Sequence, residues 1–428
     1  MNERVVVSQL GARMDYAVPR ILSAYGMLEH FYTDICATKG WPRLVHHLPA
    51  RFRGAGIRRL AGRRPSGIPA QRMTCFSGLG LSYALRRMRA HEVSDEMKAA
   101  LDAGRRLSEL VVRHGFGQAT GFYGMVRECL EQLQAARAHG LWTAVEQNIA
   151  AWTLVDRLDR EERERFPAWT SAAVPSAFAE AFAARERAEW AEADLIVCPS
   201  EFVRRSVAED GGPVDRCVIV PYGVDTRFQI PVRDRMRGPL RVLTIGSVGL
   251  RKGSPYVLEA ARRMRGQAVF RMVGAGTVPA AARADLEGVV EFTGPIPRLE
   301  IIAQYAWADV FLLPSLCEGS ATVIYEALAA GLPVVTTPNA GSVVRDGTDG
   351  FVVPIRDAEA IVRSLHLLYE DRARLFEMAH NARVRAADFD LSAYGRRLSE
   401  ALRNARTVTA ARDFQKTDHA PRTLRVPA

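Results

Sequence analysis

From residue 240 onward the chain alternates short, almost wholly apolar runs with stretches of helical periodicity. The runs are LRVLTIG (240–246), VFRMVG (269–274), VVEFTG (289–294), DVFLLPS (309–315), LPVVTT (332–337) and GFVVP (350–354). Their lack of polar alternation suits strands buried on both faces of a parallel sheet. Between them, SPYVLEAARRMR (254–265), LEIIAQYA (299–306) and the segment 357–388 carry helical patterns. The spacing therefore predicts a βαβ series and an open, doubly wound sheet.

The first half is less regular but begins alike, with RVVVSQLGA (4–12) running into a helical YAVPRILSAYGML (16–28). Further on, LSELVVRHGFG (107–117) reads as a strand ahead of His114, MVRECLEQLQAARAHG (125–140) as a helix and LWTAVEQ (141–147) as a strand. In ADLIVCPSEFVRRSVAED (193–210) a strand stops at Pro199 and Ser200 caps the next helix. The fold class expected is α/β, with two Rossmann-like domains in tandem. The segment 218–240, rich in Pro, Gly and charge, separates them. The expected division is 1–217, 218–388, a helix at 389–406 packing back on the first domain, and a disordered tail over 407–428.

Length agrees, since 428 residues exceed what one core serves and 48% apolar content suffices for two. Six cysteines without a CxxC pair argue against a structural zinc site or a disulfide framework, and hence for a reducing cytoplasm. No apolar run reaches the roughly 18–20 residues of a membrane span, and MNERVVVSQLGA lacks a leader's layout. A net charge of +10 favours an anionic partner. Nucleic acid is disfavoured, because aromatics do not interleave with the basic clusters and no nucleic-acid motif is present.

The segment CEGSATVIYEALAAGLPVV (317–335) places two carboxylates in a core-like stretch. Glu318 falls at the carboxyl end of a strand and beside a helix start, where α/β sheets bind ligands. The N–H groups of Gly319, Ser320, Ala321 and Thr322 would face an anion there. Glu326, one turn into the helix, can accept two hydrogen bonds from a vicinal diol such as a ribose. The competing reading makes Glu318 a helix-start acid and pairs Glu326 with an arginine. A second anion site upstream, GSVGLRKGSPYVLEA (246–260), tips the balance: three glycines admit a phosphate and Arg251 and Lys252 neutralise it.

The Glu318-x7-Glu326 spacing, the G-x4-RKG loop and VPYGVD (220–225), in that strand–helix context, resemble the retaining family 4 glycosyltransferases of the GT-B architecture. The resemblance is strong over about 194–354 and weak before it. It implies that Arg251 and Lys252 hold a donor diphosphate, Glu326 the ribose and Glu318 the transferred sugar. It also puts the nucleobase near Gly294 and Ile296. Ser247 stands where many relatives have arginine, which throws the diphosphate onto Arg251 and Lys252. The implied reaction moves a hexose from a UDP- or GDP-sugar to a glycan or lipid-linked acceptor, with retention. No metal or other cofactor is implied.

Gly11, His114 and Glu146 are candidates for the acceptor side. Asp388 and Asp390 of DFD read as helix caps in preference to a metal site. Arg51, Arg53, Arg58, Arg59, Arg63 and Arg64 form a basic cluster suited to an anionic membrane surface, which would make the protein cytoplasmic and peripheral at the inner face. The rival functions are a nucleotide-sugar epimerase or hydrolase of the same fold, and a non-catalytic nucleotide-sugar-binding scaffold.

Overall fold

The computed structural model describes residues 3–418 apart from 48, 50–53, 91–92, 171–177, 226–227, 229, 232–236, 277 and 299. Its first sheet contains β1 (Val5–Gln9), β2 (Leu28–Thr33), β3 (Met73–Cys75), β4 (Gly121–Met125), β5 (Trp142–Glu146), β6 (Leu195–Cys198) and β7 (Cys217–Ile219). The second contains β8 (Leu240–Ile245), β9 (Ala268–Val273), β10 (Glu291–Gly294), β11 (Val310–Leu313), β12 (Val334–Thr336) and β13 (Gly350–Val352). The strand orders are β3-β2-β1-β4-β5-β6-β7 and β10-β9-β8-β11-β12-β13, with every ladder parallel. β1, β4, β5 and β11 are buried along their whole length, as continuous apolar runs in two-sided sheets should be.

The strand order reverses between β1 and β4 in one sheet and between β8 and β11 in the other. Loops leaving neighbouring strands at such a point diverge to opposite faces and open a crevice at the carboxyl edge. The RKG loop follows β8 and the Glu318 turn follows β11. The sequence's two anion sites thus meet at one crevice.

Three expectations are corrected. Residues 107–117 are not a strand: a helix spans Val93–His114, and its buried Met97, Leu101, Leu107 and Val111 recur at helical spacing. β7 still pairs with β6, so a boundary after residue 217 cuts through a strand, and the passage between sheets is 220–239. The last helix runs Leu391–Asp418, well past residue 407, through residues of good helix propensity such as Ala, Arg, Gln and Lys. Residues 419–428 lie outside the described part.

The two domains are stitched at several points. Val224 donates to the Phe389 carbonyl at 2.8 Å, and Asp390 Oδ1 caps the final helix at the Ala393 N–H. That helix returns to pack on Ala17–Ala24 and β5 of the first domain. The first-domain helix Trp152–Arg165 leans the other way. Its fully buried Glu162 accepts from Tyr256 Oη at 2.9 Å and Arg356 Nε at 2.5 Å, both in the second domain.

Candidate functional site

The RKG loop is shaped by Gly253, with φ +71°. A Cβ there would lie 2.1 Å from the Pro314 carbonyl oxygen, so only glycine lets the loop close on the end of β11. This closure sends Arg251 and Lys252 back toward the Glu318 turn. Lys252 Nζ lies 2.8 Å and Arg251 Nη1 2.7 Å from the same Oε1 of Glu318. Arg251 also donates to the Cys317 carbonyl at 3.1 Å. The side chains of Lys252 and Glu318 are each 12% exposed and that of Arg251 41%, so Lys252 is the interior cation. Burial pulls its ammonium below the usual lysine range, and Glu318 works against that pull.

The Glu318 turn is anchored from both domains. Glu318 N–H donates to Asn339 O at 2.9 Å, and Ser320 Oγ to Gly341 O at 2.9 Å. Across the domain boundary, Ser200 Oγ donates to Gly319 O while accepting from Val203 N–H as a helix cap. A Cβ on Gly319 would come within 1.9 Å of Asn148 O, so glycine is required for the domains to meet this closely. Asn148 Nδ2, beside it, is buried without a hydrogen-bond partner among the described residues.

The helix after the turn is Thr322–Ala329, closed by Gly331 at φ +68°. Not all of its leading N–H groups face a ligand as expected: that of Ala321 donates to Ala340 O at 3.1 Å. Glu326 is buried, accepting from Arg298 Nη2 at 3.0 Å and Tyr305 Oη at 2.8 Å. The arginine pairing weighed for Glu326 is therefore present. Arg298 itself remains 62% exposed, so it is an anchor that can swing away, whereas Tyr305 is fixed in the core. Gly294, whose carbonyl accepts from Gly274 N–H at 3.0 Å, and half-buried Ile296 lead directly to Arg298.

Ser247 is exposed and lines a cleft of about 220 Å³ with Val248, Arg251 and Lys252. Asp159, Arg163 and Thr170 of the first domain form its opposite wall.

The acceptor-side candidates do not converge. Gly11, at the carboxyl end of β1, donates its N–H to Asp34 Oδ1 at 2.9 Å and stays at the crevice edge. Glu146 ends β5 but is buried and occupied, accepting from Tyr123 Oη at 2.6 Å and Tyr222 Oη at 2.7 Å. Burial pushes its carboxyl above the usual range, while the two hydroxyls oppose that shift. It joins β5 to the interdomain passage. His114 is exposed at the end of the helix that leads into β4. There it packs against Phe76 and Tyr32 with Nδ1 2.9 Å from Leu110 O.

Of the basic cluster, Arg58, Arg59 and Arg64 are exposed. Arg63 pairs with Asp34 at 3.0 Å, and Arg51 and Arg53 lie outside the described residues. No helix among the described residues is long and apolar enough to cross a membrane.

Sequence reasoning missed Ser200 as a link to Gly319, Asn148, Arg298, Tyr305 and the Tyr222–Glu146 pair. Arg298 had a signal, standing two residues after Ile296. The others meet their partners across more than 20 residues of chain and had none.

Residues 239–371 match the family model described as glycosyl transferases group 1. The amylovoran biosynthesis glycosyltransferase AmsK of Erwinia amylovora is 28% identical over 231 residues, 50% of this chain and 57% of that protein. The putative colanic acid biosynthesis glycosyltransferase WcaL of Salmonella typhimurium is 31% identical over 228 residues, 49% of this chain and 56% of that protein. The chain thus spans little more than half the length of these relatives. Across the whole molecule, the UDP complex of Anabaena Alr3699/HepE superposes with a TM-score of 0.60 at 15% identity, covering 94% of this chain and 100% of that one. The fold is GT-B.

Proposed function

From the match of residues 239–371 to the group 1 glycosyltransferase model, we propose transfer of a sugar from a nucleotide-sugar donor to a glycan or lipid-linked acceptor. The observation that carries this reading is the convergence of Arg251 and Lys252 on Glu318 at the point where the second sheet reverses. Two cations held ready by one carboxylate can turn to a diphosphate when it arrives, leaving Glu318 to accept from sugar hydroxyls. Cations fixed in a partly dry crevice stabilise the charge that builds on a departing diphosphate. That role needs no divalent metal, and none is assigned. Glu326 takes the ribose as Arg298 yields its place, and the 294–296 segment meets the base of a UDP- or GDP-sugar. Retention at the anomeric carbon is assigned on the family resemblance.

Similarity to AmsK and WcaL supports a place in cell-surface polysaccharide or glycolipid assembly. The acceptor enters from the first domain past the Gly11 loop. A membrane face at the inner leaflet is supported by the helix Ser77–Arg89, which exposes Leu81, Leu85 and Met88 at helical spacing beside Arg86, Arg87 and Arg89. Arg58 and Arg59 extend that charge.

The test is incubation with UDP- and GDP-sugars and a lipid-extract acceptor, following diphosphate release and the anomeric coupling constant of the product. Acceptor-dependent release with an unchanged anomer supports the reading. Release of free sugar or an epimer without acceptor would mark a hydrolase or epimerase, and binding without turnover a scaffold.

A further inference from the structure

Cys36 Sγ and Cys75 Sγ lie 3.0 Å apart, although the residues are 39 positions apart in sequence. The fold brings them together at the carboxyl edge of the first sheet. β2 and β3 pair with Thr33 opposite Cys75, and the chain turns after β2 so that Cys36 reaches back over the end of β3. The gap is about 1 Å more than the roughly 2.05 Å of an S–S bond. Both thiols are free. Cys36 is fully buried, whereas Cys75 is only partly buried.

The surroundings favour a shared thiolate. Thr38 Oγ1 lies 3.3 Å from Cys36 Sγ. Lys39 is close by, its Nζ donating to the Ala70 carbonyl at 3.0 Å and to that of Met73. The hydrogen bond with Cys75 is the largest influence lowering the Cys36 thiol to about 6, with the Cys75 proton held correspondingly tightly. A thiolate is the reactive form in disulfide exchange. Of the other four cysteines, Cys129, Cys198 and Cys317 are buried, and Cys198 and Cys217 share a side-chain hydrogen bond of their own.

We propose that Cys36 and Cys75 form a dithiol–disulfide modification site that reacts with low-molecular-weight disulfides. The partly buried Cys75 sulfur, the more accessible of the two, attacks one sulfur of the incoming RS–SR as its proton passes to Cys36. RS⁻ leaves and a Cys75–S–S–R bond remains. Cys36 then loses that proton to the released thiolate, giving RSH, and attacks Cys75 Sγ. The Cys36–Cys75 bond forms and the second RS⁻ departs, to be protonated from water. Two protein thiols are oxidised and one small disulfide is reduced to two thiols.

The site sits close to the acceptor side of the crevice. Asp34, two residues before Cys36, holds the Gly11 N–H and Arg63, and Ala37, one residue after it, donates to the Arg63 carbonyl at 2.9 Å. The bond would tie this loop to the end of β3.

The experiment uses the full chain and 2-hydroxyethyl disulfide, followed by thiol titration under denaturing conditions and peptide mass mapping. Oxidised wild type should lose two of its six thiols and yield a Cys36–Cys75 cross-linked peptide. Cys36→Ser should trap one mercaptoethanol adduct on Cys75, while Cys75→Ser should carry none on the buried Cys36. Six retained thiols, a cross-link between other cysteines, or a persistent adduct on Cys75 in the wild type would each overturn the proposal. The wild-type map decides even if a variant misfolds. The outcome does not depend on whether the protein transfers sugar.

Discussion

The hydroxyl of Ser200 reaches from the start of a first-domain helix to the carbonyl oxygen of Gly319, in the turn that carries Glu318. One side chain thus caps a helix and holds the Glu318 turn against the other domain. Ser200→Ala removes both bonds, which together contribute about 1–2 kcal/mol. Urea unfolding should register a loss of that size, and donor KM should rise with it.

Gly319→Ala places a Cβ against the Asn148 carbonyl, where the backbone of one domain blocks that of the other. Each sheet should still fold, leaving the far-ultraviolet circular dichroism unchanged. The domains should part, raising the radius of gyration in X-ray scattering. Turnover should fall about 10²-fold, the usual consequence of ångström-scale misplacement.

Lys252→Ala removes the interior cation and leaves Glu318 to Arg251. If the leaving diphosphate is stabilised here, turnover should drop by about 10²–10³-fold, as when one transition-state donor is deleted elsewhere. Ser247→Ala, at the exposed rim, should change turnover less than about threefold. Diphosphate-release rates of the two variants check the contrast.

A pH effect follows from Glu189, whose carboxyl lies fully buried under the backbone N–H groups of Arg127 and Cys129. Burial is the largest influence on it and raises it to about 8, against the opposing pull of Arg185. Between the ordinary carboxyl range and that value the folded state holds a proton that the unfolded state releases. Stability from this group is therefore full at low pH and is lost as pH rises toward 8. Glu189→Gln should flatten that decline in chemical denaturation curves between about pH 5 and pH 8.

The second domain was largely legible because buried parallel strands are continuous apolar runs and its helices follow at short spacing. Glu318, Arg251 and Lys252 could be named because each stands a few residues after such a strand. β2, β3 and β4 were harder to see: LEHFYT contains three polar or charged residues, MTC is three residues long, and GFYGM has two glycines. The surroundings of Glu146 and His114 were hidden for a related reason. Sequence locates a strand end but says nothing of the hydroxyls of Tyr123 and Tyr222 arriving on Glu146, nor that 107–114 is helical.

The central claim is a nucleotide-sugar pocket walled by Glu318 and Glu326. Thermal unfolding with a panel of UDP- and GDP-sugars, on the wild type and Glu326→Ala, tests it most directly. A ligand at about 100 times its Kd stabilises the folded state by about 2.7 kcal/mol, a shift of several degrees. The account predicts such a shift for at least one nucleotide sugar in the wild type and a much smaller one in the variant. Equal shifts in both proteins, or none with any nucleotide sugar, would contradict it.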